Sequence, residues 1–236
     1  MTYKYLRFCV WSGVTFFFLF FIACVGAGFI PPPSPHLTGE ELLAIAAQNR
    51  TGFRVGMMAG YIGALLLVPW SVGISYFMAR IEGGRFPVMA FVALGAGIAN
   101  AVAFFLPFVF WSGAYYRLDN NPGLVRLLSD MTWLEFVMLY TPFFLQTIAI
   151  AVVGLSDKSA TPTFPRWFCF LSIWVCILVI PGGFAIFFES GPFAWNGLIA
   201  FWIPVTVFTI YFSAFVPLLF KAIRRLEASN AGGEPV

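Results

Sequence analysis

The sequence predicts an all-α fold, a polytopic transmembrane helical bundle of six spans with both termini cytoplasmic. Three observations predict it. First, 61% of the 236 residues are hydrophobic and only 10% are charged, whereas soluble domains carry roughly 25% charge. A chain so poor in charge cannot cover a water-facing surface. Second, six apolar runs each reach the ~20 residues that a helix needs to cross the hydrocarbon core. Third, the cations divide unevenly. Lys4, Arg7, Arg80, Arg85, Lys158, Arg166, Lys221, Arg224 and Arg225 fall at the end of the bundle that holds both termini. Arg50, Arg54, Arg117 and Arg126 fall at the other end. Nine against four places the termini inside by the positive-inside rule. No long polar segment stands apart, so residues 1–236 are expected to form a single six-helix transmembrane domain.

The first span is expected at about 8–30. Basic residues precede it, as in a signal peptide, but the apolar run exceeds the ~7–15 residues of such a core. It is therefore read as a retained helix, stopped by Pro31, Pro32 and Pro33. In the polar stretch that follows, Thr38 with Glu41 three residues later has the form of a capping box. A short helix at about 39–49 on the outer surface is predicted there. The second span, about 54–78, carries a small-residue stripe at Gly56, Gly60 and Ala64, which permits close helix approach. Pro69 interrupts it. The third, about 86–111, carries a second stripe at Ala93, Gly97 and Ala101, with Asn100 beside it and Pro107 beyond. A loop over 112–131 is expected next, with turn residues Asn120, Asn121, Pro122 and Gly123. The fourth span is about 132–155, the fifth about 167–188 with Pro181, Gly182 and Gly183 near its end, and the sixth about 197–220 with Pro204 inside. The residues after 220 read as a frayed polar tail. Phe86-Pro87 and Phe164-Pro165 each precede a span, a weak echo of a parallel repeat.

Several chemistries lack their residues. The single histidine, His36, cannot supply a two-histidine haem site or a histidine-rich di-iron site. HExxH, P-loop and GxGxxG patterns are absent. The four cysteines, Cys9, Cys24, Cys169 and Cys176, form no CxxC pair and read as apolar packing residues. No cofactor, metal site or nucleic-acid partner is expected, and the chain reads as something other than an enzyme.

What remains is a set of polar groups within or beside the spans, where such groups are expensive. Glu135, Pro142 and Gln146 share one face of the fourth span. Asn100 sits near the middle of the third. Tyr115, Arg117, Glu189 and Asn196 belong to the same outer side. An outward-opening pocket with an aromatic body would use Glu135, Gln146, Asn100, Tyr115, Arg117 and Asn196 as its polar fixtures. A plainer reading competes. Glu135 would pair with Arg126, Arg117 or Arg54 in the headgroup region, and Asn100 and Gln146 would bond between helices.

The segments PPPSPHLTGEELLAIAAQNRTGFRVG, TWLEFVMLYTPFFLQ and FPRWFCFLSIWVCILVIPGGFAIFFESGPFAWNGLIAFWIP resemble a group of uncharacterised bacterial six-span inner-membrane proteins. The resemblance implies a multi-pass protein of a bacterial inner membrane. It carries no activity and no site residues. Two functions are expected from the residues themselves. One is binding or transport of a small lipophilic molecule. The other is a non-catalytic structural or accessory subunit of a larger membrane complex. The partners expected are membrane lipids and a membrane-protein partner or second copy.

Overall fold

A computed structural model of the chain describes residues 2–117, 119 and 121–231. Among them, six helices are long and apolar enough to cross a membrane. Span one is α1 (Thr2–Gly26). A surface helix, α2 (Gly39–Gln48), follows and starts with the predicted capping box. Thr38 Oγ1 accepts from the Glu41 amide at 3.2 Å, and Glu41 Oε2 accepts from the Thr38 amide at 2.7 Å.

Prolines decide where the next spans break. Span two is split into α3 (Arg50–Leu65) and α4 (Leu67–Glu82). Span three is α5 (Val88–Ala114). Span four is split into α6 (Pro122–Met138) and α7 (Tyr140–Ser156). In both split spans the first helix ends four residues before a proline, at Leu65 for Pro69 and at Met138 for Pro142. A proline has no N–H for that carbonyl and its ring crowds it, so the helix stops there and restarts one residue later. Span five changes from α8 (Arg166–Val179) to a 3₁₀ helix, Ile180–Phe187, over Pro181. Span six opens with a π-helical turn, Leu198–Trp202, ahead of Pro204, and continues as α9 (Ile203–Ala231). Pro107 and Pro217 lie inside α5 and α9 without dividing them.

Two boundaries differ from expectation by ten residues or more, and α1 also begins at Thr2 and ends at Gly26 rather than spanning about 8–30. The fourth span begins ten residues early, at Pro122 rather than 132, so most of the expected loop over 112–131 is helix. Asn121 caps it, its Oδ1 accepting from the Gly123 amide at 2.9 Å, and Pro122 suits a first helical position. Of the predicted turn residues, Asn120 lies outside the described ones. The expected frayed tail is also helix, because α9 runs on to Ala231. Ala222, Ile223 and Leu226 are buried at helical spacing. Arg7 Nη2 meets Glu227 Oε2 at 2.8 Å, and Asn230 bonds the Tyr3 hydroxyl. The segment is amphipathic, and its charge conceals that in a hydropathy reading.

Both small-residue stripes face helices of the chain itself. A Cβ on Gly56 would lie 2.8 Å from the Ala23 carbonyl oxygen of α1, and one on Gly60 would lie 2.3 Å from the Phe108 ring of α5. Ala93 and Ala101 are buried, and Gly97 faces Ser71 of α4 and Gln146 of α7. The central helix is thus α5, packed between α3 and α4 on one side and α6 and α7 on the other. α2 lies across the start of α6. There Trp195 Nε1 donates to the Pro33 carbonyl at 3.0 Å, tying the loop before span six to the loop after span one. The four cysteines are buried and unpaired.

Candidate functional site

The helix breaks converge. The α6–α7 break at Leu139, the end of α8 and the π-helical turn before Pro204 surround a partly open pocket of ≈ 90 Å³. Its walls are aromatic, with Phe20 of α1, Phe104 of α5, Phe136 of α6, Phe143 of α7, and Phe201 and Phe208 of span six. The rings brace one another. Phe20 stacks on Phe136 at 6.1 Å, and Phe208 touches Phe104 at 6.2 Å and Phe143 at 5.6 Å between centroids. Among the described residues, Tyr140 alone adds a polar side chain to the lining. Its hydroxyl fits against Gly183, where a Cβ would approach to 2.8 Å. The pocket exists because three interrupted helices cannot close against each other as continuous rods do. The space left is of the size that a few methylene groups fill.

Two smaller cavities, each ≈ 10 Å³, flank it. The one toward α2 shares Phe136 and Phe201 with the pocket and is walled by Trp111 and Trp133, whose rings meet at 4.9 Å. Both indole Nε1 atoms are buried without a hydrogen-bond partner among the described residues, an uncommon state for a buried tryptophan. The cavity toward the termini shares Phe143 and Phe208 and contains Asn100 and Gln146. Phenylalanine pairs therefore separate three spaces arranged in a row.

At the terminal side of that row lies a polar knot. Gln146 Nε2 donates to Ser71 Oγ and to the Ala93 carbonyl, both at 3.1 Å. Ser71 Oγ donates in turn to the Leu67 carbonyl at 2.7 Å. One side chain so joins α4, α5 and α7. Asn100 is buried beside the same cavity and its Oδ1 has no hydrogen-bond partner among the described residues. A space of ≈ 10 Å³ is about one water in size, which suits an oxygen in need of a donor.

The six residues anticipated from sequence are not gathered in one place. Asn100 and Gln146 do come together, in the small cavity rather than the larger pocket. None of Glu135, Tyr115, Arg117 and Asn196 lines any of the three spaces. Glu135 is half-buried, and its carboxylate makes no ion pair with the described residues. Arg126, one of its anticipated partners, instead meets Asp130 at 3.8 Å. Tyr115 is buried and donates to Ser129 Oγ at 3.2 Å. Burial pushes its phenol up from the ordinary value, the Asp130 charge adds to that, and the Ser129 bond opposes it. Arg117 is exposed, and Asn196 is half-buried in the loop before the π-helical turn. The phenylalanines of the pocket went unnoticed because nothing distinguishes six of them among 30. Their signal was positional, since Phe136, Phe143, Phe201 and Phe208 all lie within six residues of Pro142 or Pro204.

These features define a multi-pass α-helical membrane protein with an aromatic cavity row in its interior. Comparison of the chain with protein-family models, with curated proteins and with solved structures finds no match.

Proposed function

We propose that the protein binds a small lipophilic molecule, or carries one across the bilayer, in the pocket between Phe20, Phe136, Phe143 and Phe208. The observation that carries this reading is a partly open pocket at the depth of the helix breaks, walled by phenylalanine and without a charged side chain in its lining. In a bilayer, a mouth at that depth would meet acyl chains rather than water. Ligand pockets are generally apolar with few polar fixtures, and a site entered from lipid follows the same design. The charge bias favours both termini in the cytoplasm, and the sequence resemblance favours a bacterial inner membrane. The flanking cavities favour an occupant that extends along the row once the phenylalanine pairs rotate aside. The two small-residue stripes face helices of the chain itself, so they add no support to the accessory-subunit alternative.

The test is extraction of the purified full chain with organic solvent and mass spectrometry of what it releases. Wild type is expected to carry a lipophilic molecule in a fixed ratio to protein. Filling the pocket with Val205→Phe, or with Ala200→Phe should the first variant unfold, is expected to reduce that ratio at least about tenfold, a loss of ~1.4 kcal/mol in binding. Equal ratios in wild type and a folded pocket-filling variant would sink the reading.

A further inference from the structure

The end of the bundle that carries α2 holds a second concavity, unrelated to the aromatic row. Arg50 and Arg54, one turn apart on α3, converge with Tyr116 and Arg117 of the α5–α6 connection on a surface basin of ≈ 460 Å³. Three of the four arginines at this end thus face one space. Asp119 is the sole acidic residue in its lining among the described residues. None of the three guanidinium groups has an ion pair or a hydrogen bond with the described residues. The fourth arginine, Arg126, is the one engaged, with Asp130. Gathering three like charges into a hollow is unfavourable unless an anion sits among them. Membrane proteins also tend to keep such charge off the end opposite the positive-rich one. The planar forks of arginine match phosphate oxygens in pairs, and the Tyr116 hydroxyl offers a further donor. The basin lies where α3 begins and α5 ends, the level of lipid headgroups for a chain that spans a bilayer.

We infer that Arg50, Arg54 and Arg117 form a binding site for a phosphate group, either that of an anionic phospholipid or that of a soluble phosphate compound. The site stands apart from the aromatic pocket and does not depend on its function. Two probes distinguish the sources. Full-length protein in neutral detergent is titrated with inorganic phosphate, and in parallel reconstituted into nanodiscs of phosphatidylglycerol or of phosphatidylcholine. The readouts are the melting temperature and, after mild delipidation, the phospholipid retained in native mass spectra. A wild-type rise in melting temperature with phosphate alone assigns a soluble ligand. Selective retention of phosphatidylglycerol assigns a headgroup. In either case Arg50→Gln/Arg54→Gln/Arg117→Gln is expected to weaken the effect at least about tenfold, and Arg126→Gln to leave it unchanged. Arg54→Gln alone, an exposed single change, should weaken it measurably and serves if the triple variant does not fold. No response to either probe, or an equal response in wild type and the arginine variants, overturns the site. So does a loss of the same size in Arg126→Gln, which would mark a general effect of charge.

Discussion

Substitution of Gly97 by alanine tests the polar knot most directly. A Cβ placed on Gly97 would lie 2.0 Å from Ser71 Oγ, 2.4 Å from Ser71 Cβ and 2.4 Å from Gln146 Nε2. Ordinary contact begins near 3.4 Å, so relief from Ser71 Cβ alone requires α4 and α5 to part by about 1 Å. Rotating a side chain cannot achieve this, because a Cβ moves only with its backbone. Overpacking of this kind costs ~1–3 kcal/mol. The two bonds made by Gln146 would also be strained or lost, at ~0.6 kcal/mol each for hydrogen bonds between membrane helices. Alanine returns ~1 kcal/mol through its higher helix propensity. The net expectation is a loss of about 1–3 kcal/mol. Gly95, two residues away on the same helix, has no atom within 4 Å of its notional Cβ. Gly95→Ala should therefore be neutral or stabilising by up to ~1 kcal/mol. Unfolding by denaturant in mixed micelles measures both. Ser71→Gly combined with Gly97→Ala removes the clash with Ser71, though not the one with Gln146 Nε2, and should recover part of the loss. If Gly97→Ala and Gly95→Ala prove equally stable, α4, α5 and α7 do not meet as described, and the placement of Gln146 fails with them.

Two further outcomes are expected. Tyr115 is pushed above its ordinary phenol value of 10.0 mainly by burial, so the folded state holds the proton more tightly than the unfolded one. Its contribution is then fully present below about pH 10 and is lost as pH rises further toward the folded value. Tyr115→Phe should flatten the alkaline decline in a stability–pH profile while costing ~1 kcal/mol at neutral pH for the Ser129 bond, and an unchanged alkaline slope would contradict this. Ending the chain after Lys221 removes Ile223 and Leu226 from the interior, which should lower unfolding stability by ~3 kcal/mol or more. Glu227→Gln should cost only ~0–1 kcal/mol, because its pair with Arg7 is largely solvated. A truncation with no effect would mean that the segment is the frayed tail its composition suggests.

Legibility in the sequence followed the kind of physics involved. The six spans were readable because lipid demands long apolar runs, and the α2 capping box because it depends on two residues three apart. Pro69 announced its break by a local rule, and the same rule acts at Pro142, where one continuous face was expected. The boundaries at Pro122 and Ala231 were not readable from hydropathy, because both segments carry charge on one face and bury the other. Whether a stripe such as Gly56-Gly60-Ala64 faces its own bundle or a stranger was also not local information. It depends on α1 and α5, which are near in space and far in sequence. The pocket was least legible of all, since it is made by the absence of regular helix at three points that only the folded chain brings together.

The face that Glu135, Pro142 and Gln146 were expected to share shows how these effects interact. A continuous helix would align them, with Pro142 between the two polar groups on one surface. Instead the chain stops at Met138 and restarts at Tyr140, so Glu135 and Gln146 belong to separate helices with different surroundings. Gln146 turns into the bundle, where an amide must bond or pay for its desolvation, and Ser71 and Ala93 satisfy it. Glu135 stays half-buried. The proline between them makes the break, and the break exposes Phe136, Tyr140 and Phe143 to a common space. Polarity in this membrane interior therefore marks where helices are fastened together. The pocket proposed to hold a lipophilic molecule is instead walled by apolar residues around the prolines.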